Sequence, residues 1–306
     1  MERNELKKKA YADSISITHR HILSVINTLL LNETAIKEQS VIKILDAGCG
    51  NGILLAYLHK YLPLFNPGKT FLLYGYDVVD HGVQHETYTE KTLVYLHDED
   101  ERVEWHDRIK FIKSDENWPF NNEMFQFVVS NQVLEHVWDH DHFFAENNRV
   151  ISNKGFAVHL FPVKEVIVDG HVHMPRVHQL RNWDAVYRKI KFYSMLGLGR
   201  YKHERKSEAY SLQEFSKIYA DKIYFFCNYP SYKEFAKAIK SNGLCLTTRY
   251  NTVFYLRKIK ELLGIKTDFI YKSNFSSYLA FHILKYVASI SFVLIKGHYS
   301  QYSDRK

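Results

Sequence analysis

Cysteine is scarce in this sequence: the 306 residues include only Cys49, Cys227 and Cys245, which lie far apart. A small, odd number of distant cysteines argues against a disulfide framework and indicates a reducing, cytoplasmic compartment. The charged N-terminal residues 1–14 are not followed by the apolar segment of a secretory signal peptide, so we expect none.

Internal repeats and low-complexity tracts are also lacking. Hydrophobic residues make up 46% of the sequence, which is enough for the core of one large domain or of one domain with a smaller one appended. Charge is unevenly distributed: residues 1–150 contain 15 Lys and Arg against 23 Asp and Glu, whereas residues 151–306 contain 26 against 11. The basic second half either binds an anionic partner or is an ordinary lysine-rich surface.

Apolar strand-like segments and amphipathic helices alternate through about residue 163. Residues 1–40 have the spacing of helices. The strand-like segments are residues 41–45, 71–77, 108–115, 124–131 and 155–163. This alternation predicts an α/β fold, with a Rossmann-like, mostly parallel sheet and helices on both faces. Because ligands bind such sheets at the carboxyl ends of the strands, residues directly after each strand are the candidate site residues.

A glycine-rich turn, ILDAGCGNG at residues 44–52, follows the first strand. It differs from the G-x-G-x-x-G pattern of dinucleotide-binding folds, and an acid, Asp46, precedes the glycines. An acid here would repel a pyrophosphate but attract an amino group or a sulfonium. A second acid, Asp77, ends the second strand, where a carboxylate can accept both hydrogen bonds from a ribose diol. The turn therefore predicts a ligand with a ribose and no nearby phosphate, as in S-adenosylmethionine.

The motifs between residues 40 and 163 resemble those of class I S-adenosylmethionine-dependent methyltransferases. ILDAGCGNG resembles motif I and YGYDVVD resembles motif II. SDENWPF followed by FQFVVSNQVLEHV resembles the strand 3 to strand 4 region of the type 11-like subgroup, which is typified by small-molecule and quinone methyltransferases. The resemblance implies a seven-stranded sheet and S-adenosylmethionine as cofactor. The alternative is a Rossmann-like domain without a cofactor.

The resemblance also implies roles for individual residues in a cofactor site. The glycines and Asp46 would surround the methionine part, Asp77 would bind the ribose, and Val78 and Asp115 would contact the adenine. The two residues after the fourth strand would form the floor of the site, and the cysteine of the glycine turn would be a small packing residue. The implied cofactor-binding residues are Asp46, Gly48, Cys49, Gly50, Gly52, Asp77, Val78, Asp115, Glu116, Asn131 and Gln132.

Two stretches contain candidates for removing a proton from a methyl acceptor. LEHVWDH after the fourth strand contains His136, and the segment after the fifth strand contains Asp169, His171, His173 and His178. A histidine oriented by the acid could act as a base, the H-x-H-x4-H spacing could hold a metal, or the histidines could be partly exposed loop residues. Because that spacing is a weak metal signature, we predict catalytic or substrate-contacting roles for these five residues and no metal site.

A missing motif limits the class of methyl acceptor. Family members that methylate nucleic-acid bases carry an Asn/Asp-Pro-Pro-aromatic motif where this sequence reads SNQV, and no RNA-binding aromatic-basic stretch is visible, so we expect no nucleic-acid partner. SNQVLEHV together with HMPRVH resembles methyltransferases of bacterial surface-polysaccharide biosynthesis. We predict O-methylation of an anionic sugar or glycan intermediate. The alternatives are a quinone, phenol or lipid-like acceptor, or a non-catalytic scaffold that binds the cofactor.

The remaining sequence is predicted to complete the core and cover the site. A helix and a late strand over residues 231–251 would end the core near residue 255, with residues 164–230 inserted as a substrate cap. Residues 256–306 are predicted to form a basic and apolar C-terminal helical tail. Its segment 276–297 is close to transmembrane length, and it could be a packed or oligomer-forming helix, an interfacial helix, or a span at the inner face of a membrane.

Overall fold

The chain folds around one twisted sheet of seven strands. The computed structural model describes residues 3–80, 87–271 and 278–296. The strands lie in the order β3-β2-β1-β4-β5-β7-β6, and all neighbours are parallel except that β7 runs antiparallel to β5 and β6. The strands are β1 Val41–Ala47, β2 Thr70–Val78, β3 Ile109–Ile112, β4 Phe125–Asn131, β5 Ile151–Phe161, β6 Leu244–Thr247 and β7 Ile290–Lys296. The predicted seven-stranded, mostly parallel fold is confirmed.

Helices cover both faces of this sheet. They are α1 Arg3–Ala12, α2 Ile17–Asn32, α3 Thr34–Lys37, α4 Ile53–Phe65, α5 Tyr88–Glu99, α6 Trp105–Arg108, α7 His140–Val150, α8 Trp183–Met195, α9 Tyr201–Ser207, α10 Leu212–Phe226, α11 Tyr232–Ser241, α12 Asn251–Leu262 and α13 Tyr278–Leu284. Alternate side chains of β1 point into two separate cores, Ile42 and Ile44 toward the core with α2 and α4, and Leu45 and Ala47 toward the core with α7 and α11. Since both faces are covered, the strand sequences are largely apolar.

Between β5 and α11 the chain leaves the sheet and forms a smaller helical unit. Helices α8, α9 and α10 surround a small apolar core of their own, which includes Val172, Val186 and Phe215. The start of α10 is stabilised by a capping box, in which Ser211 and Glu214 bond each other's backbone N–H groups. The loop that leads into this unit returns to the carboxyl edge of the sheet, where Gly170 and His173 line a cavity.

The predicted C-terminal helical tail is wrong for residues 290–296, which form the antiparallel strand β7 in the interior of the sheet. Phe292 and Leu294 face one core while Val293 and Ile295 face the other. A strand that is buried on both faces has an unbroken apolar run, which periodicity alone does not distinguish from a buried helix. The core therefore does not end near residue 255 but continues to Lys296.

This arrangement also accounts for the apolar character of the 276–297 segment. Residues 290–295 are buried between β5 and β6, so they are not available to contact a membrane. Residues 276, 277 and 297 of the segment lie outside the described residues. Among the helices that the structure describes, none has both the length and the apolarity to cross a membrane.

Candidate active site

The glycine turn after β1 depends on backbone conformations that side chains disfavour. Gly48 has φ +80°, and its N–H donates to the Tyr76 carbonyl at 2.9 Å. A Cβ at this position would lie 2.6 Å from a γ-carbon of Val133, so only glycine fits without displacing this residue, which follows β4. Gly52 has φ +77° and precedes α4, where a Cβ would lie 2.9 Å from Leu96. The turn is thereby held between β2, β4 and α5.

Asp77 at the end of β2 is tied to this turn. Its Oδ2 accepts the N–H of Gly50 at 2.5 Å, and its Oδ1 accepts the N–H of Val78 at 2.7 Å. Burial raises the pKa of the Asp77 carboxyl to about 6, although the two N–H donors oppose that shift. The carboxylate thus lies at the edge of the turn with its orientation fixed by backbone groups.

Asp46 is the second acid of the site and is more deeply buried. Its side chain is 2% exposed, and burial together with the nearby charge of Asp77 raises the pKa of Asp46 to about 8. A buried acid whose proton affinity is raised by a second carboxyl group lies in an environment in which a cationic ligand group is stabilised. This is the electrostatic environment that the sequence predicted for an amino group or a sulfonium.

One large cavity of about 1180 Å³ opens along the carboxyl ends of β1, β2 and β4. Of the residues predicted to bind the cofactor, Gly52 alone does not line it, because it lies beneath the turn at the start of α4. The predicted residues that do line the cavity are Asp46, Gly48, Cys49, Gly50, Asp77, Val78, Asp115, Glu116, Asn131 and Gln132. Their individual roles remain predictions.

Several cavity residues are not marked by any sequence signal. Ile15, Ser16, Thr18 and His19 approach from the segment that begins α2, and Ser289 approaches from the loop before β7. Both segments are distant in sequence from the carboxyl ends of β1, β2 and β4. Their placement at the cavity therefore follows only from the packing of the helices and of β7. The side chain of Gln132 bonds the Ser289 hydroxyl at 3.0 Å, and Gln132 has φ +58°, an uncommon conformation that occurs preferentially at functional sites.

The part of the cavity wall that is formed by the segments after β4 and β5 contains two of the predicted catalytic histidines. His136 comes from the 3₁₀ turn Leu134–His136 that follows β4, and His173 comes from the loop that follows β5. His173 is exposed to the cavity and has φ +56°. The carbonyl of Asp169 accepts the His173 N–H at 2.9 Å and holds this turn of the loop.

Asp169 organises the loop from behind this wall and does not line the cavity. Its carboxylate is fully buried and accepts the N–H groups of His171 at 2.8 Å and Val172 at 3.1 Å, together with the Tyr229 hydroxyl at 3.0 Å. Burial would raise the pKa of Asp169, but the hydrogen bond and charge of His171 and the charge of His178 lower it on balance. The acid is therefore an anionic anchor for the loop.

His171 and His178 also lie behind the cavity wall. His178 has a fully buried side chain whose Nε2–H donates to the Lys164 carbonyl at 3.2 Å, and burial lowers the pKa of His178. His171 lies between Tyr229 and His136, with its Nε2 at 3.4 Å from that of His136. The structure thus brings all five predicted catalytic residues into one region but places only His136 and His173 at the cavity.

The cavity, the glycine turn and the sheet order together define a nucleoside-binding α/β protein of the methyltransferase class. The family described as "Methyltransferase domain" matches residues 18–248, which is most of the chain. This chain therefore belongs to that methyltransferase family, and its cofactor is S-adenosylmethionine. None of the curated proteins matches this sequence.

Solved structures with a similar fold share little sequence with this chain. The YcgJ protein from Bacillus subtilis is 13% identical, with a TM-score of 0.43 over 90% of this chain and 99% of its own. Phosphoethanolamine N-methyltransferase 2 from Haemonchus contortus is 14% identical, with a TM-score of 0.44 over 89% of this chain and 52% of its own. Geranyl diphosphate C-methyltransferase from Streptomyces coelicolor is 14% identical, with a TM-score of 0.44 over 89% and 80%.

The raised pKa of Asp77 predicts that cofactor affinity depends on pH. A carboxylate accepts both ribose hydroxyls, but a protonated carboxyl group has one oxygen occupied as a donor. Below its pKa of about 6, Asp77 is protonated in the free protein, so affinity should fall as the pH drops. We expect the dissociation constant for S-adenosylhomocysteine to rise by up to ~10-fold per pH unit below that value. Calorimetric titration between about pH 5 and pH 8, at constant ionic strength, measures this dissociation constant.

The Asp77→Asn variant is the matched control for this titration, because its amide does not ionise. It should bind weakly with a flatter pH profile. An equally steep profile in the Asn variant would assign the pH dependence to another group in the cavity.

Proposed function

We propose that this protein transfers the methyl group of S-adenosylmethionine to a hydroxyl oxygen of a sugar or glycan intermediate. The observation that carries this proposal is one cavity of about 1180 Å³ that is lined both by the predicted cofactor residues and by His136 and His173. Single-ligand pockets are typically ~300–1,000 Å³, so there is room for an acceptor beside the cofactor. Methyl transfer breaks the carbon–sulfur bond and forms a carbon–oxygen bond, while the acceptor hydroxyl loses its proton.

His173 is the side chain that we assign to the acceptor. It is exposed in the cavity and its backbone is fixed by Asp169, so it can hydrogen-bond a hydroxyl and accept its proton as the new bond forms. Asp169 and His178 do not line the cavity, and we assign them to positioning this loop. Histidine is the side chain that most often performs general base catalysis at neutral pH.

The lining supports a polyhydroxylated acceptor. Asn131, Gln132 and Ser289 offer amide and hydroxyl groups that can bond several hydroxyls at once. Trp138 lines the cavity and is 57% exposed, so its ring is available to stack on the apolar face of a sugar. Lys113 is the one lysine or arginine among the described lining residues, which leaves histidines as the main partners for an anionic part of the acceptor.

A quinone, phenol or other lipid-like acceptor is the second candidate. Trp118, Val137 and Phe143 add apolar and aromatic surface to the same cavity and support it. A lipid-linked glycan would combine both features and would place the protein at the cytoplasmic face of a membrane, which the excess of Lys and Arg in residues 151–306 supports. The third candidate is a non-catalytic scaffold that binds the cofactor. It would also retain Gly50 and Asp77, so only a transfer assay separates it from the first two candidates.

The first experiment is calorimetric titration with S-adenosylmethionine and S-adenosylhomocysteine, followed by acceptor assays with isotope-labelled methyl donor. Nucleotide sugars, lipid-linked glycans, phenols and quinones form the acceptor panel, and mass spectrometry locates the added methyl group. Label in a sugar hydroxyl supports the proposal, whereas label in a phenol or quinone moves the assignment to the second candidate. Cofactor binding without transfer to any acceptor would favour the scaffold.

A further inference from the structure

A second group of reactive side chains begins at His136, which lines the cavity, and includes two residues that do not line it. His136 follows β4, His171 lies in the loop after β5, and Cys227 follows α10. One ligand atom from each of the three lies within 4.8 Å of the other two, and all three residues are partly buried. These segments are separated in sequence, by 35 residues for the histidine pair and by 91 for His136 and Cys227.

The hydrogen bonds of His136 determine which of its nitrogens carries a lone pair. Its Nδ1 lies 2.6 Å from the carbonyl oxygen of Phe226. Since a carbonyl accepts but does not donate, His136 Nδ1 must carry the hydrogen of this bond. In the neutral imidazole, Nε2 is then the nitrogen with the lone pair.

A similar argument applies to His171 through two of its neighbours. The Tyr229 hydroxyl donates to the Asp169 carboxylate at 3.0 Å, so its single hydrogen is already used. The same hydroxyl lies 3.0 Å from His171 Nδ1, which must therefore donate to the Tyr229 oxygen. The lone pair of neutral His171 lies on Nε2. An Asp–Tyr–His arrangement of this kind orients a histidine as a metal ligand and increases its basicity.

The two Nε2 atoms therefore direct lone pairs toward each other at 3.4 Å. That contact is repulsive unless a cation or a shared proton lies between them. Two nitrogens that bind one tetrahedral zinc ion at about 2.0 Å are roughly 3.3 Å apart, which matches the observed separation. The thiol of Cys227 lies 3.8 Å from His136 Nδ1. One ligand atom from each of the three residues lies within 4.8 Å of the others, so the Cys227 side chain must change its rotamer for all three to bind one ion.

Two acidic side chains, Glu135 and Asp169, lie beside the cluster. Glu135 is 1% exposed, and its Oε2 has no hydrogen-bond partner among the described residues. Glu135 precedes His136 in the chain, and Asp169 Oδ1 lies 3.6 Å from His171 Nδ1. In the part of the chain that the structure describes, no lysine or arginine forms an ion pair with either acid. The buried Asp169 carboxylate, which lies next to His171, favours a cation nearby.

We propose that His136, His171 and Cys227 bind one divalent transition-metal ion of the zinc class. Two imidazoles and a thiolate are the donors that such ions prefer, whereas magnesium and calcium prefer oxygen. Three protein ligands leave a fourth position open, as in catalytic zinc sites. Because His136 lines the cavity, that position faces the acceptor region, where it would bind water or an acceptor oxygen. Only this last role depends on the proposed function.

Metal binding is tested on the untagged full-length protein, without cofactor or acceptor. We expect about one zinc per chain by elemental analysis after dialysis against zinc and removal of excess ion. Substitution with cobalt(II) should give the intense visible bands of a tetrahedral site together with a thiolate-to-cobalt charge-transfer band. Cys227→Ser should remove the charge-transfer band and lower metal affinity more than ~100-fold, since even loss of an outer partner costs 10–100-fold. Tyr229→Phe should lower affinity by about 10-fold.

The control is Cys245→Ser, which removes the other partly buried cysteine and should leave stoichiometry and spectrum unchanged. Binding of S-adenosylhomocysteine by each variant shows that the fold is intact. If the folded protein retains no zinc or cobalt, the proposal is wrong and a shared proton holds the two imidazoles together. If the charge-transfer band survives Cys227→Ser, the proposal is also wrong, because the metal is then bound through another cysteine. Metal binding without methyl transfer would instead overturn the proposed function alone.

Discussion

Replacing Asp77 by alanine should weaken cofactor binding at least ~100-fold. The Asp77 carboxylate is buried, and its two oxygens are oriented by the N–H groups of Gly50 and Val78. Two hydrogen bonds from ribose hydroxyls to a charged acceptor contribute about 1.5–3 kcal/mol each, and each 1.4 kcal/mol changes the dissociation constant tenfold. Calorimetry with S-adenosylhomocysteine measures the loss directly.

Two further variants separate recognition from structure. Asp77→Asn retains an oxygen acceptor for Gly50 but loses the charge, so it should give an intermediate affinity. Asp80→Asn alters an exposed acid two residues after β2, whose carboxylate bonds the backbone and hydroxyl of Ser114, and it should leave cofactor affinity nearly unchanged. Wild-type affinity in Asp77→Ala would refute the assignment of the ribose site.

Replacing His173 by asparagine should lower turnover by about 10²–10⁴-fold while cofactor affinity stays constant. The side chain lines the cavity, where we propose that the acceptor binds, and a positioned base contributes only while the acceptor loses its proton. Asparagine retains hydrogen bonding but cannot take up a proton. Single-turnover rates with labelled methyl donor, together with calorimetry on the same sample, separate catalysis from binding.

His178→Asn is the matched comparison for this variant. His178 lies behind the loop and bonds the Lys164 carbonyl, so its replacement should lower the free energy of unfolding by about 1–3 kcal/mol through an unsatisfied buried group. Turnover per folded molecule should fall less than in His173→Asn. Equal losses of turnover and stability in the two variants would mean that His173 stabilises the loop rather than contacting the acceptor.

Much of the glycine turn and of the cavity lining could be predicted because the signals are local. Gly48 and Gly52 have positive φ angles, and a side chain at either position would collide with a neighbouring segment. Asp77 stands at the end of a strand that is adjacent to β1 in the sheet. Each of these requirements acts on one or two residues in a short segment, so the sequence shows it directly.

The histidine region was predicted only in part. The H-x-H-x4-H segment suggested that His171, His173 and His178 act together, yet the loop directs their side chains to different places. His171 instead meets His136 and Cys227, which come from other segments. Packing of the helical insertion on the sheet brings these residues together, and no sequence spacing describes such a contact. The sequence therefore contains no motif that marks Cys227 or Tyr229.

The sequence by itself determined the alternation of strands and helices, the glycine turn and the acids that follow β1 and β2, because backbone conformation and strand-end position are local properties. The tertiary structure alone decided that residues 290–296 are a strand. It also decided which histidines reach the cavity and which face Cys227. The physical reason is that an apolar run is chemically the same in a helix and in a strand, and a histidine is the same at the cavity and in the protein interior. Long-range packing, whose free energy is shared among many distant residues, selects between the environments.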